Sequence, residues 1–363
     1  EADRDFHFVM AAASYHLAKS GQKILGIDRH PPGHDFGSSH GFTRITRQAY
    51  FEHPSYIPLL LRAHELWNEL NKKTGKTLFH KIGLLCMGYE NESQVLPTIL
   101  QSSKQYQIPT RTLNAKQLQE QYPQFKIPNN MYGVFEPGAG YLEPENCVKA
   151  HWQLAQEHDA EHVQSAVETW ESSKNGVIVH TKTESYQAKH LIITAGAWAA
   201  QMVTGLKMPL EVRKAVQFWF DAPEECKKLP SFAFDVKNEF IYGFPFIDGQ
   251  GMKVAKYAPS SLIKDPTNRP NDYSVDELEP ITDCLREFFP KVNPKPLTHL
   301  VCMYTMSQDK NFIIDQHPQH ANVYFASGCS GHAFKMTTVI GEILSELVRT
   351  GKTKQPIEFL RLR

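Results

Sequence analysis

Two arginines, Arg44 and Arg47, stand three residues apart in the segment 42–50. At that spacing both guanidinium groups lie on one face of a helix or turn and can point at a common anion. The alternative is a solvated pair on the surface, which would contribute little to stability or function. The pair therefore indicates either an anion site or an exposed polar face.

A second candidate site lies near the end of the chain, where a strand, a glycine loop and a helix follow one another. The predicted strand covers residues 322–326, the loop covers 328–332, and an amphipathic helix begins near Phe334. This order places free backbone N–H groups and the positive end of a helix dipole at one point, which suits an anion. The alternative is an ordinary βα turn in which glycine serves only the tight geometry.

The first part of the chain carries the second half of a nucleotide-binding βαβ unit. Residues 11–20 are predicted to form a helix and residues 23–28 a buried strand, whose terminal carboxylate, Asp28, would hydrogen-bond the ribose hydroxyls of an adenosine. The first strand and the glycine fingerprint are missing, because residues 6–11 read FHFVMA. Either the chain lacks residues near Phe8 to Ala11, which we favour because pyrophosphate is hard to approach without glycine, or it has lost the pyrophosphate loop.

Four motifs occur along the chain in a fixed order. They are GSSHGFTRITR at 37–47, YGFP at 242–245, GMK at 251–253, and CMYT, FIID, HP and GCSGHAFK between 302 and 335. In this order and near this spacing they resemble the monomeric sarcosine oxidase and N-methyltryptophan oxidase family, flavoenzymes that oxidise N-methyl amino acids. The resemblance covers almost the whole chain, and four motifs together are far more specific than any one.

The resemblance implies an FAD cofactor that is bound covalently. Cys302 would form a thioether with the 8-methyl carbon of the flavin, although a lone cysteine is otherwise most often a small buried hydrophobe. The residues that would contact the cofactor are Asp28, Thr43, Arg44, Cys302, Gly328, Ser330, Gly331, His332 and Lys335.

The resemblance also implies a clamp for the substrate carboxylate, made by Arg47 and Lys335. Two cations facing one carboxylate would orient the amine over the flavin. A lysine near a helix start is ordinarily solvated, and its charge opposes the helix dipole. Lys335 is therefore better explained by an anionic partner.

Lys253 resembles the lysine that activates O2 on the opposite face of the flavin. A fixed ammonium lowers the cost of forming superoxide, and the alternative is a solvated lysine at a strand end. The other catalytic candidates that the resemblance implies are His40 and Arg44, near the flavin ring, and Tyr242, which would also line the substrate cavity.

Three residues depart from the family pattern. Ala333 stands where the family has glycine, and Phe42 stands where it has an acid, so the redox poise is expected to differ. Tyr257 stands where relatives have histidine, which leaves the identity of the substrate open.

Charge and composition exclude several classes of protein. The 39 basic and 39 acidic residues cancel, so the chain lacks the basic excess of a nucleic-acid or membrane-surface binder. No apolar run approaches the roughly 20 residues of a membrane-spanning helix. The six cysteines are scattered without metal-ligand spacing, which predicts reduced thiols and no metal site. We expect a cytoplasmic monomer that acts on a small N-methyl amino acid and O2.

The predicted fold is of the α/β class, a Rossmann-like FAD-binding domain interleaved with a domain rich in β-sheet. The FAD-binding domain is predicted over residues 1–80, 146–212 and 303–363, and the substrate domain over 81–145 and 213–302. Helices are predicted at 57–70, 145–158 and 275–289 and a β-hairpin at 77–87.

Three functions fit the sequence. The first is an FAD-dependent oxidase that converts an N-methyl amino acid, O2 and water into the amino acid, formaldehyde and H2O2. The second is a non-catalytic relative that binds an amino acid without flavin, and the third is a flavin dehydrogenase that uses another electron acceptor. Lys253 and Cys302 favour the first, because a bare binding protein would need neither.

Overall fold

A computed structural model describes residues 6–8, 11–247 and 249–363. The α-helices in the described part of the chain are α1 (Ala11–Ala18), α2 (Ile57–Thr74), α3 (Val95–Gln105), α4 (Ala115–Gln121), α5 (Pro144–Gln156), α6 (Ala199–Met202), α7 (Val275–Phe288) and α8 (Thr337–Thr350). The strands are β1 (Phe6–Phe8), β2 (Lys23–Asp28), β3 (Arg44–Thr46), β4 (Phe79–His80), β5 (Leu84–Tyr89), β6 (Arg111–Asn114), β7 (Met131–Glu136), β8 (Gly140–Leu142), β9 (Glu161–Gln164), β10 (Val167–Ser173), β11 (Gly176–Thr181), β12 (Ser185–Ile193), β13 (Glu211–Phe220), β14 (Ser231–Val236), β15 (Glu239–Ile247), β16 (Gly251–Lys256), β17 (Pro296–Met306), β18 (Ile313–Gln316) and β19 (Val323–Ser327).

The first large sheet has a parallel centre in the order β19, β12, β1, β2 and β9. The centre of β2, the end of β12 and nearly all of β19 are buried and mostly apolar, as expected where both faces of a parallel sheet are covered. Helix α1 packs against α5 and α8. The approach of α8 to α1 requires glycine at Gly341, because a Cβ there would lie 2.7 Å from the backbone of Ala12 and Ala13.

Strand β1 corrects one prediction. The first strand of the βαβ unit, expected to be missing, is present at Phe6–Phe8, where it pairs in parallel with β2 and β12. Three residues suffice because both neighbours supply hydrogen-bond partners. The prediction about the pyrophosphate loop concerns residues 8–11, and Val9 and Met10 lie outside the described residues.

The second large sheet has the order β17, β13, β16, β15, β14, β5, β7 and β6. Its pairs are antiparallel, apart from the parallel pair of β14 and β5. Helix α7 packs against β15 and β16. The core between the helix and the sheet is aromatic, with Phe234 stacked on Phe288 at 4.5 Å between ring centroids. This packing leaves the opposite face of β13, β16 and β17 available for a site.

A small third sheet has the strand order β3, β8 and β4. It shows that the hairpin predicted over residues 77–87 is wrong. Strand β4 pairs with β8, whereas β5 pairs with β7 and β14 in the second large sheet. The positive φ of 83° at Gly83 turns the chain from one sheet into the other instead of folding β5 back on β4.

Several predicted elements agree with the structure. The buried strand Lys23–Asp28 has the predicted bounds, and α7 ends one residue before its predicted end at 289. The helix predicted to begin near Phe334 starts as a 3₁₀ turn, Phe334–Met336, and continues as α8. Among the described residues, no helix is both long and apolar enough to cross a bilayer.

Candidate active site

A cleft of about 640 Å³ separates the carboxyl ends of the first sheet from one face of the second. Gly26 and Asp28 of β2 line one end of it, and Tyr242 and Cys302 of the second sheet line the other. Clefts of this size, lined by aromatic rings with a few polar groups, are typical of sites for large cofactors and their substrates. Its place at the carboxyl ends of parallel strands is where open α/β sheets bind ligands.

Asp28 ends β2, as the sequence predicts. Its Oδ1 accepts a hydrogen bond from the backbone N–H of His30 at 2.9 Å, which holds the carboxylate at the cleft. The strand can approach α5 closely there, since a Cβ on Gly26 would lie 2.7 Å from the Trp152 ring. A carboxylate held in this way can accept hydrogen bonds from ribose hydroxyls.

The register of the second sheet brings three predicted residues to one face. Lys253 pairs with Trp219 and Cys302 pairs with Ala215, both on β13, and directly paired residues share a face. Tyr242 pairs with Ala255, two residues from Lys253, and therefore points the same way. The structure thus assembles residues that lie up to 60 positions apart in the chain.

Lys253 is buried behind the wall of the cleft. Its Nζ donates to the backbone carbonyls of Gly41 at 2.8 Å and Thr43 at 2.9 Å, and it lies 5.1 Å from the centre of the Phe244 ring. Burial, and after it the charge of Arg44, lowers the pKa of Lys253 well below its ordinary value. An anion in front of the wall would oppose both effects and favour the ammonium form.

Cys302 lies next to the guanidinium of Arg44. Arg44 Nη2 is 3.7 Å from Cys302 Sγ and also donates to the carbonyl of Ser38 at 3.0 Å. Ser38 in turn donates from Oγ to the carbonyl of Met303 at 2.8 Å, which fastens the loop over β17. The structure thus brings the cysteine sulfur and a guanidinium together at the cleft.

His40 is almost completely buried, and its Nδ1 has no hydrogen-bond partner among the described residues. Burial, followed by the charges of Arg44 and Arg269, lowers the pKa of His40 to about 3. The ring is therefore neutral near neutral pH. The nearby Thr43 Oγ1 is also buried without a partner in the described part of the chain.

Arg269 was missed by sequence reasoning because it lies in a polar, proline-bearing segment that reads as a surface loop. Its guanidinium donates to the carbonyls of Asp35 at 2.7 Å, Phe36 at 3.2 Å and Gly37 at 3.3 Å. It also lies 3.5 Å from Nε2 of His40. Arg269 therefore fixes the loop that carries Ser38 and His40.

Arg47 and Lys335, the predicted clamp, meet at Tyr50. Arg47 lies 5.0 Å and Lys335 Nζ 5.4 Å from the centre of its ring, and both cations are buried. Lys335 Nζ donates to the carbonyl of His332 at 2.7 Å. Burial lowers the pKa of Lys335 to about 7, against the opposing effect of the Glu52 carboxylate.

Glu52 is a second residue that sequence reasoning missed. It forms an ion pair with Arg47, with 3.3 Å between Nη2 and Oε1. Arg47 and Glu52 are five residues apart, and outside a helix or strand this spacing does not predict that two side chains meet. Glu52 and Tyr257 both line the cleft, so this end of it carries both signs of charge beside aromatic rings.

The glycine loop folds as a compact turn. Gly328, Ser330 and Gly331 all have positive φ, at 62°, 48° and 81°. Gly331 packs against the Tyr304 ring, where a Cβ would lie 2.4 Å from it. His332 Nδ1 lies 2.6 Å from the Tyr50 hydroxyl, and its Nε2 lies 3.0 Å from the carbonyl of Lys310. Loop and clamp are therefore joined through Tyr50.

The predicted residues divide into two groups by position. Asp28, Arg44, Arg47, Tyr242, Cys302, Gly328, Gly331, His332 and Lys335 line the cleft. His40, Thr43, Ser330 and Lys253 lie outside its lining; Ser330 Oγ bonds the carbonyl of Gly328 at 2.9 Å, within its own loop. Their roles toward a cofactor stay predictions.

The cleft fits a flavin nucleotide on its own chemistry. Ser327 Oγ and Arg47 Nε line it and are buried without partners among the described residues. Buried polar atoms in native proteins are almost always satisfied, so these atoms indicate a ligand with polar groups. The aromatic walls, Asp28 at one end and the pair Cys302 and Arg44 at the other match a long cofactor with an aromatic ring.

The chain belongs to the FAD dependent oxidoreductase family, whose model matches residues 9–347. It is 36% identical over 359 residues to a monomeric sarcosine oxidase of Bacillus sp. (strain B-0618), covering 97% of this chain and 92% of the relative. It is also 36% identical over 342 residues to an N-methyl-L-tryptophan oxidase of Yersinia pestis (strain Pestoides F), covering 92% and 91%.

Among solved structures, the chain is similar to NikD, described as an unusual amino acid oxidase essential for nikkomycin biosynthesis. The TM-score is 0.86 at 18% identity, with 99% of this chain and 97% of that chain covered. This likeness shows the fold alone. Together the comparisons confirm the α/β fold class, the predicted resemblance and FAD as the family's cofactor.

Proposed function

We propose that this protein is an FAD-dependent oxidase of N-methyl amino acids of the sarcosine or N-methyl-L-tryptophan type. The observation that carries the proposal is the pair of buried cations, Arg47 and Lys335, at one end of an aromatic cleft that Cys302 also lines, with Lys253 buried behind its wall. Both named relatives, a sarcosine oxidase and an N-methyl-L-tryptophan oxidase, support the substrate class.

In this proposal Arg47 and Lys335 bind the carboxylate of the substrate. Lys335 already has its Nζ fixed by the His332 carbonyl, so little motion is lost on binding. Arg47 has Glu52 as a partner, which keeps the guanidinium in place when no substrate is bound. Tyr242 and Tyr257 line the cleft beside the clamp and would enclose the amine.

FAD, when bound, accepts the two electrons of C–N oxidation and passes them to O2. The protein supplies charge and position: Lys253 is held by two carbonyls on the sheet face, and Arg44 lies between that face and the loop over it. Oxidation of an N-methyl amino acid by O2 with addition of water gives the amino acid, formaldehyde and H2O2.

A covalent bond between Cys302 and the flavin belongs to the same proposal. Its support is the position of Sγ in the cleft, 3.7 Å from the Arg44 guanidinium. Cys302 Sγ would hold the flavin through its 8-methyl carbon; forming that thioether removes the thiol hydrogen and one methyl hydrogen, a two-electron oxidation for which O2 would be the oxidant, giving H2O2. The sulfur would hold the ring even if the pyrophosphate half of the cofactor were held weakly.

The proposed domains follow the two large sheets. Strands of the first sheet fall within residues 1–80, 146–212 and 303–363, which supports an FAD-binding domain made of these segments. Nearly all of the second sheet falls within 81–145 and 213–302, the proposed substrate domain. The monomeric state is supported by the name of the sarcosine oxidase relative. Location in the cytoplasm stays a prediction.

The test is a substrate panel read out by peroxide and formaldehyde. Sarcosine, N-methyl-L-tryptophan, other N-methyl amino acids and a glycated amino acid are offered to the purified protein in air. We expect a yellow protein that releases H2O2 with at least one N-methyl amino acid. A yellow protein reduced by substrate without peroxide would indicate a dehydrogenase. A colourless protein that still binds an amino acid would indicate a non-catalytic relative.

A further inference from the structure

Gln217 occupies the centre of the sheet face that carries the candidate active site. It lies on β13, the strand between β16 and β17, and pairs with Ala255 on one side and Leu300 on the other. Lys253 is two residues from Ala255, and Cys302 is two residues from Leu300. Because paired residues share a face and side chains alternate along a strand, Gln217 points to the same face as Lys253 and Cys302.

The side-chain amide of Gln217 has an unused acceptor. The residue is 4% exposed and lines the cleft, yet its Oε1 has no hydrogen-bond partner among the described residues. The oxygen lies against the backbone of Gly41, where a Cβ would be 2.5 Å from Oε1 and 3.5 Å from Nη1 of Arg44. A buried amide oxygen without a partner costs free energy, so native structures rarely keep one.

The position of this oxygen indicates which group could be its hydrogen-bond partner. It lies on the face where the flavin ring is proposed to bind, between the residue proposed to hold the ring and the lysine proposed to act on O2. The sequence gives no signal for it, because Gln217 lies in the apolar strand AVQFWF outside the recognised motifs.

We propose that Gln217 is a cofactor-contacting residue whose side-chain amide hydrogen-bonds the flavin ring. The proposal rests on the proposed function, since it takes FAD as the occupant of this face. On this proposal the polar side chain destabilises the flavin-free protein and stabilises the complex with FAD. If Gln217 served only the structure, its replacement by an apolar side chain would lower the stability of the flavin-free protein instead of raising it.

The experiment uses the full chain with Cys302→Ser, which allows flavin to be removed and added back. Gln217→Met is introduced in this background, because methionine keeps the length of the side chain and removes both polar atoms. We measure the melting temperature without flavin and the Kd for FAD by fluorescence titration. The control for the Kd is Gln124→Met, which also removes a buried amide oxygen without a partner in the described chain but lies away from the cleft. Because Gln124 Nε2 donates to the carbonyl of Glu225 at 2.9 Å, this control is read for the Kd and not for the melting temperature.

We expect Gln217→Met to raise the melting temperature of the flavin-free protein by about 1–3 °C and to weaken FAD binding by about 3- to 10-fold. The control should leave the Kd unchanged. An unchanged Kd in Gln217→Met, or a lowered melting temperature without flavin, would overturn the inference. A parent protein that carries no FAD would overturn the proposed function and the inference with it, an outcome distinct from equal Kd values with glutamine and methionine at position 217.

Discussion

Lys335 is buried, and removing its ammonium group from water is unfavourable. Burial lowers its pKa to about 7, so the free protein loses this cation as the pH rises through about 7. A carboxylate binds the cation, so binding above that pH must also take up a proton. We therefore expect kcat/KM for the best substrate to fall by about tenfold per pH unit above neutral.

The matched variant for this prediction is Lys335→Arg, because a guanidinium stays charged at these pH values. Its kcat/KM should depend on pH much less, whatever its absolute value. Lys335→Met should lose roughly ten- to a hundredfold in kcat/KM, since a charge-assisted contact contributes about 1.5–3 kcal/mol. An equal fall with pH in the parent protein and in Lys335→Arg would show that another group titrates.

Lys253 separates chemistry on the amine from chemistry on O2. Its Nζ is fixed by two carbonyls, so the ammonium form that an anion in front of the wall favours can stabilise negative charge without reorganisation. Lys253→Met should slow the reoxidation of the flavin by O2 by at least a hundredfold and slow its reduction by substrate much less. Stopped-flow traces of the two half-reactions measure both rates. Equal slowing of both would assign Lys253 a general structural role.

At the scale of elements, Glu136 connects β7 to the clamp. Its two carboxylate oxygens accept the backbone N–H groups of Gln48 at 2.7 Å and Ala49 at 3.1 Å, directly after Arg47. Burial raises the pKa of Glu136 to about 7, because the carboxylate is shielded from water.

Glu136→Gln should loosen the segment that positions Arg47, because the amide replaces one acceptor by a donor. We expect KM to rise about 3- to 10-fold with a smaller change in kcat, and the free energy of unfolding to fall by about 1–3 kcal/mol. Kinetics and chemical denaturation measure the two effects. The control is Glu120→Gln on the exposed side of α4, and a similar change in KM there would contradict this role.

Helices with a clear apolar periodicity could be predicted from the sequence, whereas the pairing of strands from distant segments could not. Apolar spacing located α5 and α7 to within two residues. The short apolar run at Cys302 proved to be part of the 11-residue strand β17, whose first half, residues 296–300, is exposed or half-buried and shows no strand pattern. The hairpin at 77–87 was wrong because local sequence does not show which sheet a strand joins.

The residues of the candidate site also divide into those that local sequence predicts and those that it does not. The motifs predicted several of the residues that line the cleft, among them Arg44, Cys302 and Lys335, because each stands in a short segment with a recognisable order. Glu52, Arg269 and Gln217 were missed because their roles arise only when separate loops and strands meet. Long-range contacts of this kind leave no local pattern in one sequence.

At the scale of the whole molecule, the cleft lies between two sheets, and a ligand that fills it contacts both. Binding to the folded state alone raises apparent stability by mass action. In the Cys302→Ser protein, FAD at 100 times its Kd should add about 2.7 kcal/mol and raise the melting temperature by about 3–6 °C. Added FAD should not shift the parent protein if its flavin is already covalent. A shift in the parent would contradict covalent attachment.

The same two proteins test the covalent bond directly. Acid precipitation of the parent should leave the flavin colour in the pellet, whereas Cys302→Ser should release it into the supernatant. The physical reason is that a thioether survives denaturation and hydrogen bonds do not. Release from the parent would mean that Cys302 is only a neighbour of the ring.

The measurement that tests the central claim most directly is a two-stage reaction in one cuvette. The protein is first mixed with one equivalent per flavin of an N-methyl amino acid without oxygen, and air is then admitted. We predict that the flavin absorbance bleaches in the first stage and returns in the second, with about one H2O2 and one formaldehyde formed per flavin, as the reaction of one bound FAD requires. A flavin that no N-methyl amino acid bleaches, or one that recovers without peroxide, would contradict the account.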